Sequence, residues 1–161
     1  MKIQNVVKRI LPEILWNPIW LTDRKLACQI KKEIKNQKIQ SSDNWLDVGC
    51  GEKTYEKFFA LGTYTGLDVM VSGRPSDQKQ ADVYYDGEVF PFKPNQFNGV
   101  MCTQVLEHVP EPKALIQQIQ KVLKKDGQLV LTLPFVWQEH EKPYDFFRFS
   151  RHGIRDLLEK S

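Results

Sequence analysis

The chain has 161 residues, of which 41% are hydrophobic and 27% are charged, and its formal net charge is +3 at pH 7. This length fits one domain with its own hydrophobic core, and so small a positive charge argues against a dedicated nucleic-acid-binding protein. The 3 cysteines are widely spaced, which excludes a disulfide framework and a CxxC metal pattern and favours a reducing, cytoplasmic location. No apolar run reaches the roughly 18 residues of a transmembrane helix.

The first 40 residues are predicted to form a helical extension or lid. A helix is expected to begin at a Thr22 cap, because Leu26, Ile30 and Ile34 then recur at helical spacing. Residues 1–21 are basic and apolar, and they leave three roles open: a lid over an acceptor site, a membrane-surface anchor or a packed extension. A proline at position 12 argues against one continuous surface helix, so a lid or a packed extension is favoured.

Residues 41–161 are predicted to form an α/β domain in which strands alternate with helices. Strands are expected near residues 44–48, 63–68, 82–86, 97–103 and 128–133, and helices near 54–61, 112–124 and after Ser150. This alternation predicts a mostly parallel sheet with helices on its faces. In such sheets, ligands bind beyond the carboxyl ends of the strands.

A glycine turn follows the first predicted strand, in the run Asp47-Val48-Gly49-Cys50-Gly51. Glycines let the backbone approach a ligand closely, and a helix starting there would offer free N–H groups to an anion. A dinucleotide-binding fingerprint needs a third small residue where this chain has Thr54. The turn therefore favours a ligand tail that carries an ammonium group and a carboxylate over a pyrophosphate.

Polar residues also follow the next three predicted strands. Asp68 ends the second strand, Asp86-Gly87 follows the third, and Thr103-Gln104 follows the fourth. An acid about 20 residues beyond the first glycine is placed to accept hydrogen bonds from ribose hydroxyls. Together, these strand ends predict a nucleoside site.

Five segments in this order resemble class I S-adenosylmethionine-dependent methyltransferases of the type 11 methyltransferase-domain group. They are Leu46-Asp-Val-Gly-Cys-Gly51, Thr65-Gly-Leu-Asp-Val69, Asp86-Gly-Glu-Val-Phe-Pro-Phe92, Phe97-Asn-Gly-Val-Met-Cys-Thr-Gln-Val-Leu-Glu-His-Val-Pro110 and Lys121-Val-Leu-Lys-Lys-Asp-Gly127. The resemblance covers about residues 44–135. It implies a Rossmann-like three-layer sandwich with S-adenosylmethionine as the cofactor.

The resemblance also implies roles for individual residues toward that cofactor. Gly49 and Gly51, with Cys50 between them, would line its methionine part, and Asp47 would lie near its ammonium group. Asp68 and the adjoining Val69 would contact the ribose. Asp86 and Gly87 are implied to contact the adenine. Thr103 and Gln104 are implied to lie beside the methyl-bearing end.

The family sheet has seven strands, and the last two are expected to be missing here because the sequence stops soon after the final predicted helix. The run Val130-Leu131-Thr132-Leu133-Pro134-Phe135 would then form an uncovered sheet edge. Such an edge pairs readily with another copy, so we expect self-association or low solubility.

The acceptor is expected to approach an aromatic and charged loop at residues 135–149. His140 is the best candidate for a general base, because its ordinary pKa lies near neutrality. Tyr144 and Arg148 are predicted to position the acceptor. No His and Cys combination has zinc-ligand spacing, so no metal site is predicted.

These observations favour a methyltransferase acting on a small molecule, a glycan or a lipid precursor. A cofactor-binding module without independent activity is the main alternative, because fold alone does not establish function. An RNA-directed enzyme is disfavoured by the modest charge.

Overall fold

The computed structural model describes the backbone of residues 18–161 and the side chains from residue 22 onward. The chain divides into two compact units, Met1–Lys38 and Ile39–Ser161. In the first unit, helix α1 spans Pro18–Asn36. The predicted start at Thr22 is wrong, because proline is favoured in the first helical turn, where its missing N–H has no intrahelical partner to lose.

The side chains of Ile30 and Ile34 on α1 are buried, as their spacing predicts. The three roles predicted for residues 1–21 depend on side chains outside the described residues. No helix in the described part of the chain is long and apolar enough to span a membrane.

The second unit is built on a five-stranded sheet that confirms the predicted α/β fold class. Its strands are β1 Asn44–Val48, β2 Thr63–Val69, β3 Val83–Tyr85, β4 Phe97–Thr103 and β5 Leu123–Thr132. They pair in the order β3-β2-β1-β4-β5, and every pairing is parallel. The sequence predicts that the last two of the family's seven strands are missing. The five strands found among residues 18–161 are consistent with that prediction. Strand β5 lies at one edge of this sheet, and self-association through it stays a prediction.

Two helices accompany the sheet, α2 at Pro112–Val122 and α3 at Arg151–Glu159. Helix α2 buries Leu115, Ile116 and Ile119 in the core. Helix α3 begins at the predicted cap, where the backbone N–H of Gly153 donates to Ser150 Oγ at 3.0 Å. The first three crossovers contain no α-helix within the described residues. Three short 3-10 turns also occur, at Glu56–Phe58, Ser76–Gln78 and Leu106–His108.

The helix predicted at residues 54–61 is wrong, since only the 3-10 turn Glu56–Phe58 forms there. The backbone of Lys53 has a left-handed conformation, with φ of 53°, which interrupts a right-handed helix. The Phe59 ring packs 5.4 Å from Trp45 and 5.2 Å from Tyr64, measured between ring centroids. Aromatic packing therefore fixes this segment, and the glycine turn has no long helix behind it to bind an anion.

The predicted boundary between α2 and β5 is also wrong by several residues. Helix α2 ends at Val122, and Leu123 already pairs with Phe97 of β4. A register shift follows, in which Asp126 has a φ of 67°. Regular pairing then runs from residue 128 to residue 132, within the predicted strand.

Candidate functional site

A cleft of about 630 Å³ lies at the carboxyl ends of the strands. Four parts of its wall were predicted from the sequence: Gly49 after β1, Asp68-Val69 at the end of β2, Asp86-Gly87 after β3 and Gln104 after β4. Its volume falls within the range of small-molecule sites. The structure therefore brings these four strand ends to one cavity, as expected for a parallel sheet.

The glycine turn approaches the cleft with a backbone that other residues could not adopt easily. Gly49 has a φ of 70°, and its N–H donates to the carbonyl of Leu67 at 2.8 Å. A Cβ atom on Gly49 would lie 2.3 Å from Val105 Cγ2. Both the dihedral angle and the space at this position thus require glycine.

The Asp68 carboxylate is held by the turn and by its own strand end. The Gly51 N–H donates to Asp68 Oδ2 at 2.9 Å, and the Val69 N–H donates to Oδ1 at 2.7 Å. Asp68 is only 7% exposed. Each carboxylate oxygen can accept more than one hydrogen bond, so a fixed carboxylate on the cleft wall can still accept from a diol.

Asp47 lies deeper than predicted and does not line the cleft. It is 2% exposed, and Tyr64 Oη donates to its Oδ2 at 2.5 Å. Burial raises the pKa of Asp47 from 3.8 to about 7, the Tyr64 hydrogen bond opposes that rise, and the charge of Asp68 adds to it. Asp47 is thus divided between its charged and neutral forms near neutral pH.

Asp86 and Gly87 line the cleft. The N–H groups of Glu88 and Val89 donate to Asp86 Oδ1 at 2.9 and 3.3 Å. These bonds lower the pKa of Asp86 and keep it ionised. Gly87 has a φ of 94°, and the nearest atom to an added Cβ, Val69 Cγ1, would be 3.8 Å away.

Thr103 is the last residue of β4 and Gln104 follows it, but only Gln104 lines the cleft. Gln104 has a φ of 54°, unusual for a residue with a side chain. Its N–H donates to the Thr132 carbonyl at 3.0 Å, and its Nε2 donates to Thr132 Oγ1 at 3.3 Å. These contacts with β5 hold the strained residue, a condition typical of functional sites.

Cys50 and Gly51 support the turn without lining the cleft. Burial is the main cause that raises the pKa of the Cys50 thiol to about 12, so the thiol is not ionised at neutral pH. This environment fits a small residue that fills a tight turn and not a reactive thiol.

The sequence did not single out two basic residues near this site. Arg74 lines the cleft, and its Nε donates to Glu141 Oε1 at 2.7 Å. The buried Lys79 donates from Nζ to the carbonyls of Val69 at 2.9 Å and Met70 at 3.3 Å. Both belong to a polar, turn-rich segment after β2, whose composition gives no signal for such contacts.

The three acceptor-loop residues predicted from the sequence have different positions. Tyr144 lines the cleft, whereas His140 and Arg148 do not. The Arg148 guanidinium donates to both carboxylate oxygens of Asp145, from Nη1 at 2.5 Å and from Nη2 at 2.8 Å. It also donates to carbonyls of its own loop, so Arg148 ties residues 135–149 together.

His108 and Glu107 lie between this loop and the cleft. His108 lines the cleft, and its Nδ1 is 2.7 Å from the Tyr144 carbonyl oxygen. Glu107 is fully buried, and its carbonyl accepts from the N–H groups of Phe146 and Phe147 at 2.8 and 3.2 Å. Burial raises the pKa of the Glu107 carboxyl from 4.5 to about 7. From the sequence alone, a catalytic role for both residues is open, but a role in starting and orienting the following helix is favoured.

Comparison with known proteins agrees with this architecture. A family model described as a methyltransferase domain matches residues 21–160. The ubiquinone biosynthesis O-methyltransferase of Coxiella burnetii is 27% identical over 135 residues, which are 78% of this chain and 53% of that protein. The chain thus spans about half the length of the curated relatives it matches.

Two solved structures show the same fold at low sequence identity. The [4+2]-cyclase SpnF has a TM-score of 0.61 at 19% identity, over 82% of this chain and 56% of that one. The Haemonchus contortus phosphoethanolamine N-methyltransferase 2, solved with S-adenosyl-L-methionine, has a TM-score of 0.58 at 20% identity, over 82% of this chain and 36% of that one. Because the family model covers residues 21–160, the chain belongs to the methyltransferase-domain family, which confirms the resemblance to class I S-adenosylmethionine-dependent methyltransferases.

Proposed function

We propose that this domain binds S-adenosylmethionine in the cleft and transfers its methyl group to an oxygen acceptor on a small molecule, a glycan or a lipid precursor. The observation that carries the proposal is the convergence of four strand ends, at Gly49, Asp68, Asp86-Gly87 and Gln104, on one cavity. The methyl group of a sulfonium is already activated, so the cofactor supplies the difficult chemistry. The chain has to bind the cofactor, align the acceptor and exclude water.

The cofactor is proposed to lie along the cleft in the order that the strand ends define. Asp68, held by two backbone N–H groups, would accept from the ribose diol. Asp86 Oδ1 is engaged by its own turn, which leaves Oδ2 for the adenine amino group. The methionine part would then lie toward Gly49 and Gln104.

The chemistry of the remaining wall supports a partly apolar acceptor. Val105, Val109, Pro110 and Tyr144 line the cleft beside His108, and the curated relatives are named as O-methyltransferases. Transfer to a hydroxyl benefits from removal of its proton. His140 as the general base stays a prediction; in the structure its ring stacks edge-on against His108, with ring centroids 4.7 Å apart, and it is His108 that reaches the cleft wall.

Calorimetric titration with S-adenosylmethionine tests the cofactor site. Asp86→Asn keeps an Oδ1 acceptor for the turn but removes the negative charge, so we expect affinity to fall by roughly tenfold. Glu88→Gln is the matched control, because Glu88 is exposed on the same loop and does not line the cleft. Well-folded protein that binds no cofactor, or equal losses in both variants, would contradict the proposed placement.

A cofactor-binding module without independent activity remains the second candidate. The likeness to SpnF, whose name records a cyclase and not a methyltransferase, supports keeping it, because this fold alone does not establish methyl transfer. Transfer of a radiolabelled methyl group, screened over phenols, glycan precursors, lipid precursors and RNA, separates the two. Tight cofactor binding with no labelled product in any class would favour the module.

A further inference from the structure

Three side chains at the back of the cleft wall offer ligand atoms to one point. Glu107, His108 and His140 each place one ligand atom within 4.8 Å of the other two. Glu107 is 0% exposed, and neither of its carboxylate oxygens has a hydrogen-bond partner among the described residues. A buried ionised carboxylate without a partner is costly, and a cation bound at this point would offset that cost.

The two imidazole rings are held so that each keeps a lone pair on Nε2. His108 Nδ1 lies 2.7 Å from the Tyr144 carbonyl oxygen, which can only accept, so Nδ1 carries the proton. His140 Nδ1 lies 3.2 Å from Asp145 Oδ2 and 3.3 Å from the Gln138 carbonyl, which are again acceptors. Histidines that bind metals characteristically donate their other ring N–H to a carboxylate or a carbonyl.

The spacing fits an ion better than a direct bond. Glu107 Oε1 is 3.9 Å from His108 Nε2, which is too long for a hydrogen bond. In a tetrahedral zinc site with bonds of about 2.0–2.2 Å, two ligand atoms lie about 3.3–3.6 Å apart. The three ligand atoms are at most 4.8 Å apart, so no pair has to close by more than about 1.5 Å to reach that geometry. The side chain of His140 is 27% exposed on an irregular loop, so it has room to move.

We propose that Glu107, His108 and His140 form a binding site for a divalent transition-metal ion of the zinc and cobalt class. Two imidazoles and one carboxylate favour such ions over magnesium and calcium, which prefer all-oxygen sites, and three protein ligands leave a position open. The sequence did not indicate this site, because His140 lies 32 positions after His108. Since His108 also lines the cleft, the ion would lie beside the cleft wall.

Metal binding can be measured on the full chain without any acceptor. The exposed thiol of Cys28 is first replaced by Cys28→Ser, and bound metal is removed with a chelator. Co²⁺ is then titrated while its visible absorption is recorded, Zn²⁺ is titrated calorimetrically, and thermal unfolding is followed with and without Zn²⁺. We expect saturable binding of one ion per chain, a rise in Tm and no displacement by excess Mg²⁺.

Two variants and one control define the ligands. Glu107→Gln keeps the shape of the side chain and removes its buried charge, so it should fold, lose saturable binding and show no rise in Tm with Zn²⁺. His140→Asn should weaken binding by at least about tenfold, since loss of even an outer-shell partner typically costs that much. The control, His152→Asn, removes an exposed histidine of α3 outside the cluster and should bind like the parent.

Absence of saturable binding in the parent, or unchanged binding in Glu107→Gln or His140→Asn, would overturn the proposal. An equal loss in His152→Asn would also overturn it. Cofactor binding is measured separately, so either result leaves the proposed methyl transfer to be judged on its own experiment.

Discussion

Replacing Asp47 by Asn should stabilise the protein at alkaline pH, although Asp47 lies in the motif that carries the family resemblance. The carboxyl is 2% exposed and accepts a hydrogen bond from Tyr64. An asparagine has nearly the same shape and can accept the same bond, but it carries no charge to bury. The substitution therefore isolates the cost of the buried ionised form.

The magnitude follows from the pKa of this carboxyl. A rise from 3.8 to about 7 corresponds to about 4 kcal/mol of unfolding free energy. Because the folded-state pKa lies above the unfolded value, the folded protein binds more protons between these pH values. This contribution of Asp47 to the unfolding free energy is fully present below about pH 4 and is lost as the pH rises through about 7. About 3 kcal/mol of it should disappear between pH 5 and pH 8.

Urea unfolding of both proteins at pH 5 and pH 8, with chelator present, measures the effect. Other carboxyls titrate in both proteins, so the difference between them reports Asp47. The advantage of Asp47→Asn should grow by about 3 kcal/mol between the two pH values. Tyr64→Phe is a useful companion, since loss of its hydrogen bond should push the pKa of Asp47 higher. A pH-independent difference, or an Asn variant less stable at pH 8, would refute the reasoning.

Gly49→Ala should lower stability by about 2 kcal/mol or more, because an alanine pays about 1–2 kcal/mol for a left-handed backbone and its Cβ would meet Val105 Cγ2 at 2.3 Å. Adding Val105→Ala should restore only part of the loss in urea unfolding; complete restoration would show that the dihedral angle is unimportant. Arg148→Lys should lower Tm by a few degrees, because lysine cannot form the two-pronged bond to Asp145. Its cofactor affinity by calorimetry should not change, and an unchanged Tm with impaired methyl transfer would instead favour acceptor binding by Arg148.

Sequence patterns predicted the sheet well because its central strands are buried and mostly apolar. Strands β1 and β4 are buried along nearly their whole length, and their apolar runs read directly as strands. The carboxyl ends of β1, β2 and β3 then place Gly49, Asp68 and Asp86 at one edge of the sheet. That inference needs only parallel pairing and strand order.

The failures lie where tertiary contacts override local pattern. Residues 54–61 have helical spacing, but Phe59 packs between Trp45 and Tyr64, and no sequence window contains that contact. Leu123 continues the apolar face of α2, yet it pairs with Phe97. The Glu107 and His140 cluster depends on the path of an irregular loop, which has no periodicity to read.

The contact between Arg74 and Glu141 joins two loops. One is proposed to bind the cofactor and the other to bind the acceptor. Arg74 follows the ribose-side strand, Glu141 belongs to the proposed acceptor loop, and a Cβ on Gly73 would lie 2.2 Å from the Glu141 carbonyl oxygen. In this protein the two loops cannot diverge separately. A change of acceptor specificity acquired through residues 135–149 would also alter the cofactor side, so such changes should evolve together with compensating substitutions near Gly73.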